Sequence, residues 1–328
     1  MYAVGANILV TNVGAQVQNL KDSDGNANSD VDKSYENVAS AIGNQDGALS
    51  ADNTFGALDE AGVQDTSSGV TAGRGGLAAE GVQVVVASSE VAAKQAILAC
   101  ADETDDISLT AGSAVVGKAA FNAGIGVMNV EHKTGITLDG TTLAAPVIAL
   151  ETASGGSTRL DMYQGTGGVF GVTAAYGLVK TSGSNTIAIT DSALTGNEIT
   201  AAAGDNGSTE VNAVGITGGL IAAGVIVAQA ENESATAVNI TDSDLKEQTS
   251  GSATSKINIS AEKANQVLAH AAGGAVGAAA LNGVVATAKD TGRSELAVTD
   301  NSFFKAGSIS LEAANKPAVK ALADSATL

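Results

Sequence analysis

The sequence predicts an all-β protein, a parallel β-helix (solenoid) built from repeats of about 51 residues. Three observations predict it: an internal repeat at a fixed step, alternation of apolar and polar residues within the repeated segments, and a composition of small side chains. The 328 residues include 40 glycines and no tryptophan, and 3% of them are aromatic. Small aliphatic side chains suit a narrow interior that recurs many times. The whole chain, 1–328, is therefore predicted to form a single domain.

Two families of segments define the repeat. The first comprises ITLDGTTL from Ile136, IAITDSAL from Ile187, VNITDSDL from Val238 and LAVTDNSF from Leu296, with a degenerate copy, VVVASSEV, from Val84. The second begins at Ile97, Ile148, Ile199, Ile257 and Ile309. Both advance in steps of 51 or 52 residues except for one step of 58, which traces to the polar insert KEQTSGSATSK at 246–256. Such a fixed step is typical of solenoids, in which each strand pairs with its counterpart in a neighbouring coil.

Alternation within the repeat predicts which side chains face the interior. A half-buried strand places every second residue inward. The inward residues predicted for one repeat are Ile187, Ile189, Leu194, Ile199, Ala201 and Ala203, and a further strand is centred on Leu109, Leu160 and Val211 in successive repeats. The rest of each unit is a Gly/Ala-rich stretch such as 116–130, and residues 1–13 resemble that same element.

Each repeat is predicted to form two coils, because solenoid repeats can be as short as about 20 residues. A charge argument favours two coils over one. Asp191, Asp242 and Asp300 occupy equivalent positions in successive repeats. One coil per repeat would place these carboxylates directly opposite one another, which destabilises a sheet. With two coils per repeat, the predicted rod is on the order of 60 Å long.

One long insertion, 15–81, interrupts the first repeat with a stretch rich in Asp, Asn, Ser and Gly. Long insertions in rigid scaffolds often carry function, although a flexible, neutral insertion is the simpler interpretation. The oxygen-bearing side chains that alternate within it resemble those of calcium loops. The candidate calcium ligands are Asp22, Asp24, Asn26, Asp30 and Asp32. The spacing departs from an EF-hand, which favours a solvated acidic loop over a calcium site.

No catalytic motif is present in the sequence, and the protein is predicted not to be an enzyme. The repeated Thr-Asp pairs are interpreted as turns, since aspartate favours turns. His132 is predicted to be a surface residue and His270 a core residue. Cys100 aligns with Glu151, Ala202, Ser260 and Glu312, which are non-core positions, so it is predicted to be at least partly exposed. No cofactor other than calcium is expected.

The net charge of −19 disfavours nucleic acid as a partner, because the surface repels phosphates. The uncharged runs 213–230 and 267–288 have the small-residue spacing of membrane helices. They lack consistent basic flanks and few of their side chains are large, so no membrane span is predicted.

The repeats resemble those of large Gram-negative surface proteins, the fusobacterial leukotoxin-like and filamentous haemagglutinin-type adhesins. The resembling residues are Ile199 to Ala201, the Gly/Ala run Gly218 to Ala228, and Asn239 to Ser243. The resemblance implies a right-handed β-helix, exported by a two-partner or autotransporter (type V) route to the bacterial cell surface. The absence of an export signal and a barrel translocator suggests a fragment, or a subunit whose open ends stack on others.

The expected function is that of a structural stalk in an extracellular virulence adhesin, which presents loops to a host-cell or bacterial receptor or glycan. Two alternatives stay open. A β-helical polysaccharide lyase or glycosidase would need clustered acids beside basic and aromatic residues. A self-assembling filament subunit would associate end to end.

Overall fold

The computed structural model describes the backbone of residues 2–11, 15–18 and 66–78, and both backbone and side chains of 81–249 and 251–328. Within these residues the protein consists of strands and turns and contains no helix. The all-β class is therefore confirmed. The predicted sheet character follows from the alternation in the sequence, because each long strand buries every second side chain over most of its length.

The strands form six successive levels, each paired in parallel with the next. Level 1 holds β1 (Tyr2–Thr11), β3 (Thr66–Ala78), β4 (Val82–Ala87) and β5 (Glu90–Ala92), and β2 (Ala15–Gln18) pairs antiparallel with β3. Level 2 holds β6 (Ala96–Asp139) and β7 (Thr142–Ala144), and level 3 holds β8 (Val147–Thr190) and β9 (Ala193–Thr195). Level 4 holds β10 (Glu198–Gly218), β11 (Ile221–Asn232), β12 (Ala235–Thr241) and β13 (Asp244–Lys246). Level 5 holds β14 (Lys256–Lys263), β15 (Gln266–Val276), β16 (Ala279–Asp290), β17 (Arg293–Thr299) and β18 (Phe303–Lys305). Level 6 holds β19 (Ser308–Asn315) and β20 (Ala318–Thr327).

The register between levels equals the sequence repeat. Ala96 of β6 pairs with Val147 of β8, and the same offset of 51 residues holds to the pair Asp139 and Thr190. Between levels 4 and 5, which the insert at 246–256 separates, the offset is 58, as in the pair Glu198 and Lys256. The prediction of two coils per repeat is therefore wrong, since each 51-residue repeat contributes one level. The described levels span about 24 Å at ~4.8 Å per spacing, well short of the predicted 60 Å.

Repulsion between the equivalent aspartates does not prevent one level per repeat, because backbone conformation favours aspartate at this corner. The residue at this corner has a left-handed φ in five successive levels: Ser88 (47°), Gly140 (57°), Asp191 (47°), Asp242 (47°) and Asp300 (55°). Aspartate tolerates that conformation better than most residues other than glycine. The three carboxylates are exposed. In water, two charges about 5 Å apart repel by only about 0.8 kcal/mol.

Each level consists of two limbs that face each other. In level 2 the outward limb is 96–117 and the return limb is 119–139, and both belong to β6. Their inward side chains meet in two apolar clusters. The corner core includes Ile136, Ile148, Ile187 and Ile199, and the middle core includes Ile107, Leu109, Met128 and Val130.

The predicted inward residues are confirmed. All of them are buried: Leu109, Leu160, Ile187, Ile189, Leu194, Ile199, Ala201, Ala203 and Val211. The agreement follows from the two-residue period, which fixes the face of each side chain.

The assignment of residues 1–13 to the Gly/Ala element is wrong. Strand β1 pairs with Cys100–Leu109 of the outward limb. Strand β3, which lies inside the predicted insertion 15–81, pairs with Ala119–Glu131 of the return limb. Composition misled this assignment, because alternating Gly, Ala and Val residues suit either limb.

Within the described residues no helix is long and apolar enough to cross a membrane. The apolar run 213–230 lies in β10 and β11, and the run 267–288 lies in β15 and β16.

Candidate functional site

A layer of polar side chains separates the corner core from the middle core. We call it the polar layer. It is built from two positions on each outward limb and two on each return limb, which recur at the repeat step. Its members are Glu103, Asp105, His132 and Thr134 in level 2; Ser154, Gly156, Gly183 and Asn185 in level 3; Asp205, Gly207, Ser234 and Thr236 in level 4; and Lys263, Asn265, Gly292 and Ser294 in level 5.

The level 2 part of the layer brings three ionisable side chains together. Glu103 and Asp105 come from the outward limb and His132 from the return limb, and one ligand atom from each lies within 4.8 Å of the other two. Asp105 Oδ2 and His132 Nδ1 are 2.9 Å apart. The residues are 1%, 0% and 8% exposed respectively. We call these three residues the level 2 cluster.

Glu103 is held by groups from the return limb. Its Oε2 accepts hydrogen bonds from the backbone N–H of Lys133 at 3.1 Å and from the hydroxyl of Thr134 at 3.0 Å. Burial nevertheless raises the pKa of Glu103 above its usual value, and the charge of Asp105 raises it further. The two carboxylates therefore destabilise each other unless a cation or a proton neutralises one of them.

Two glycines lie in level 3 directly against the level 2 cluster. Gly156 has a φ of 117° and Gly183 a φ of 147°. A Cβ at Gly156 would lie 2.1 Å from the carbonyl oxygen of Asp105, and one at Gly183 would lie 2.2 Å from that of His132. Level 3 thus has no side chain at these two positions. A cavity of about 10 Å³ lies beside His132, and its polar lining includes Thr181, Asp205 and Asn265.

Between levels 4 and 5 the layer forms a hydrogen-bonded group. Asn265 Nδ2 donates to Asp205 Oδ2 at 2.7 Å, and the hydroxyl of Ser234 lies 2.5 Å from the same oxygen. In level 5 the ammonium of Lys263 pairs with Asp290, and both side chains are almost fully buried. A Cβ at Gly292 would overlap Lys263, so this glycine makes room for the lysine.

A second group of polar residues lies on the outer face of the outward limbs. We call it the outer network. Arg159 donates to both carboxylate oxygens of Asp161, at 2.8 and 3.0 Å, and contacts Glu210 at 3.3 Å. Asn212 links Asp161 to His270, whose Nε2 lies 3.0 Å from Asp324. Asp161 raises the pKa of Arg159 through their hydrogen bonds.

Two shallow grooves adjoin the outer network. One is about 340 Å³ and is lined by the half-exposed Tyr163 together with Ser113, Val214 and Ile216. The other is about 310 Å³ and reaches Asp324 and Ser325. Acids, an arginine, a histidine and an aromatic ring thus converge on this one face.

The predicted site residues have mixed outcomes. The candidate calcium ligands Asp22, Asp24, Asn26, Asp30 and Asp32 lie outside the described residues.

The histidine predictions are reversed: His132 is buried, whereas the His270 side chain is 32% exposed. His132 is buried because its segment of β6 continues the inward alternation that leads to Ile136. The partial exposure of Cys100 and its alignment with Glu151 are confirmed.

The phase of the alternation could have revealed the polar layer. Glu103 and Asp105 are separated by even numbers of residues from the inward Ile107, and His132 and Thr134 from the inward Ile136. Carboxylates in the inward phase of a strand indicate either a buried site or a break in the strand. The sequence alone does not show which limb faces which.

Comparisons with known proteins identify no relative: no family model, no curated protein and no solved structure matches the chain.

Proposed function

We propose that this chain is a structural stalk segment of a secreted bacterial surface adhesin, folded as a right-handed parallel β-helix. The observation that carries the proposal is the unbroken register of 51 residues between β6 and β8. Each level repeats the backbone of the level before it, so the stack can be lengthened by adding repeats without a new core. Such a design suits a spacer that presents other segments at a distance.

The segment most suited to contact a receptor or glycan is the stretch 19–65. It lies between β2 and β3, which pair with each other at Gln18 and Ser67. The proposal therefore assigns adhesion to 19–65 and scaffolding to the remainder. This division refines the predicted insertion 15–81, since 66–78 forms part of the stack.

The test compares beads coated with the full chain and beads coated with a variant in which 19–65 is replaced by a short Gly-Ser linker. Binding to a panel of host and bacterial cells and to a glycan array is measured, with circular dichroism and Tm as controls for folding. We expect the deletion variant to keep its β-sheet spectrum and lose binding. Equal binding by both bead types would contradict the assignment of adhesion to 19–65, and no binding by either would contradict the adhesin function.

A polysaccharide-active enzyme or binding protein is the second candidate, and the outer network favours it. Paired carboxylates near an arginine and an aromatic ring are the groups that glycoside chemistry uses. The full chain would be incubated with acidic and neutral polysaccharides, and new reducing ends or unsaturated products would be measured. Activity that disappears in Asp161→Asn and Glu210→Gln, but not in Asp244→Asn on another face, would favour the enzyme over the stalk.

End-to-end association is the third candidate, and the exposed side chains of level 6 favour it. Ile309, Leu311 and Val319 are 45–49% exposed, although they pair with the buried Ile257, Ile259 and Val267 of level 5. A second copy stacked on this edge would cover them. Light scattering should then show concentration-dependent oligomers that Leu311→Lys abolishes. A monomer at high concentration would contradict this candidate.

A further inference from the structure

The polar layer buries more negative than positive charge. Its three buried carboxylates are Glu103, Asp105 and Asp205, and its one lysine, Lys263, is paired with Asp290, a buried carboxylate outside the layer. Burying an ionised carboxylate costs several kcal/mol unless a positive group compensates it. In level 2 the imidazole of His132 lies opposite the two carboxylates, with its Nδ1 2.9 Å from Asp105 Oδ2.

We propose that Glu103, Asp105 and His132 form a binding site for one divalent transition-metal ion of the Zn²⁺ type. Two carboxylate oxygens and one imidazole nitrogen are a ligand set that Zn²⁺ accepts, with water in a remaining position. Calcium and magnesium prefer oxygen ligands alone, so the imidazole argues against them. The three ligand-bearing residues are nine-tenths buried or more, and their ligand atoms already lie within 4.8 Å of one another.

Features of level 3 support a ligand at this place independently of the cluster itself. Gly156 and Gly183 place no side chain beside Asp105 and His132. A cavity of about 10 Å³ beside His132, lined mainly by residues of levels 3 and 4, has room for about one water molecule. Asn185 pairs with Thr134 and is 1% exposed, and its Oδ1 has no hydrogen-bond partner among the residues that the structure describes. A buried amide oxygen without a partner indicates a missing water or ion.

The ion would connect the two limbs of one level. Glu103 and Asp105 lie on the outward limb and His132 on the return limb, so coordination joins the two limbs across the interior. The site is buried, so we expect metal to enter during folding, and binding free energy then becomes folding free energy. This role is independent of adhesion, because a stalk with no receptor would still hold the ion.

The test uses the full chain, unfolded in chelator and refolded with Zn²⁺, Ca²⁺ or no metal. Bound metal is measured by mass spectrometry after gel filtration, and Tm by calorimetry. We expect one Zn²⁺ per chain and a higher Tm with Zn²⁺ than with Ca²⁺. His132→Gln should weaken Zn²⁺ binding at least about a hundredfold, since loss of a mere supporting residue costs 10–100-fold. His270→Gln is the matched control, because it removes the other histidine of the chain and should leave the stoichiometry unchanged.

A second measurement applies if His132→Gln fails to fold. Refolding with Co²⁺ in place of Zn²⁺ should give visible absorption of a protein-bound ion, kept in both His270→Gln and Cys100→Ser. Loss of that absorption in Cys100→Ser would show a thiolate site and overturn the proposal. So would a wild-type zinc content below one per chain, or a Tm that Ca²⁺ raises as much as Zn²⁺.

Discussion

Asp105 and His132 face each other from opposite limbs of level 2, with Oδ2 and Nδ1 2.9 Å apart in the interior. The second aspartate–histidine pair, His270 and Asp324, has the same kind of contact at 3.0 Å, but its side chains are 32% and 74% exposed. The chain therefore contains a buried and an exposed version of one interaction. Their comparison separates the effect of burial from that of residue type.

Asp105→Ala is predicted to lower the free energy of unfolding by about 3 kcal/mol, because it leaves His132 buried without its partner. Asp324→Ala is the matched control, and its effect should stay within about 1 kcal/mol, as for exposed pairs. Urea unfolding measures both. Similar losses in the two variants would show that the level 2 contact gains nothing from its burial.

Gly156→Ala is predicted to destabilise the stack by at least about 2 kcal/mol. The new Cβ would lie 2.1 Å from the carbonyl oxygen of Asp105, at a φ of 117° that alanine disfavours. Gly274→Ala, where a Cβ meets nothing within 4 Å, should change stability by less than about 1 kcal/mol. The Tm of each variant tests the prediction. A tolerated Gly156→Ala would mean that levels 2 and 3 can move apart.

Asp191→Val is predicted to cost about 1–2 kcal/mol, because a β-branched residue does not tolerate the left-handed φ of 47°. Asp191→Asn should be close to neutral, since asparagine keeps the shape, tolerates the conformation and removes only an exposed charge. Denaturant midpoints at low and high salt measure both effects. A marked stabilisation by Asp191→Asn at low salt alone would show that repulsion between the stacked aspartates does destabilise the protein.

Glu247 is predicted to stabilise the lengthened corner 246–256 at neutral pH. The backbone N–H of Gly251 donates to its Oε1 at 2.6 Å, and Ser255 and Lys305 contact the same carboxylate. These contacts lower its pKa below the ordinary value of 4.5, with the Gly251 hydrogen bond as the largest cause. The stabilisation is therefore present above pH 4.5 and is lost as the pH falls through the lowered pKa.

Glu247→Gln should accordingly be less stable than the native protein at pH 7, and the difference should shrink below pH 4.5. Tm measured across this pH range tests it. The matched control is Glu262→Gln, which removes an exposed carboxylate paired with Lys316. If the Tm of Glu247→Gln stayed below that of the native protein by the same amount at pH 3, the corner would depend on hydrogen-bond geometry and not on the charge of Glu247.

The sequence predicted the strand pairing closely where the repeat was clear. The equivalence of Cys100 with Glu151, and the lengthened step at 246–256, reappear as residue pairs in the sheets. Prediction failed for residues 1–13 and for the number of levels. Alternation specifies which face a residue takes but not how far the chain travels before it turns back, and that distance sets the number of levels.

The sequence by itself determined the repeat step, the inward face of each strand and the place of the inserted corner. Only the tertiary structure decided that one repeat makes one level, and that Glu103 and Asp105 lie beside His132, which follows them by about thirty residues. A two-residue period is a local property that every strand carries alone. Which residues of the outward limb lie opposite which residues of the return limb depends on packing between segments far apart in the chain, and no local pattern encodes that packing.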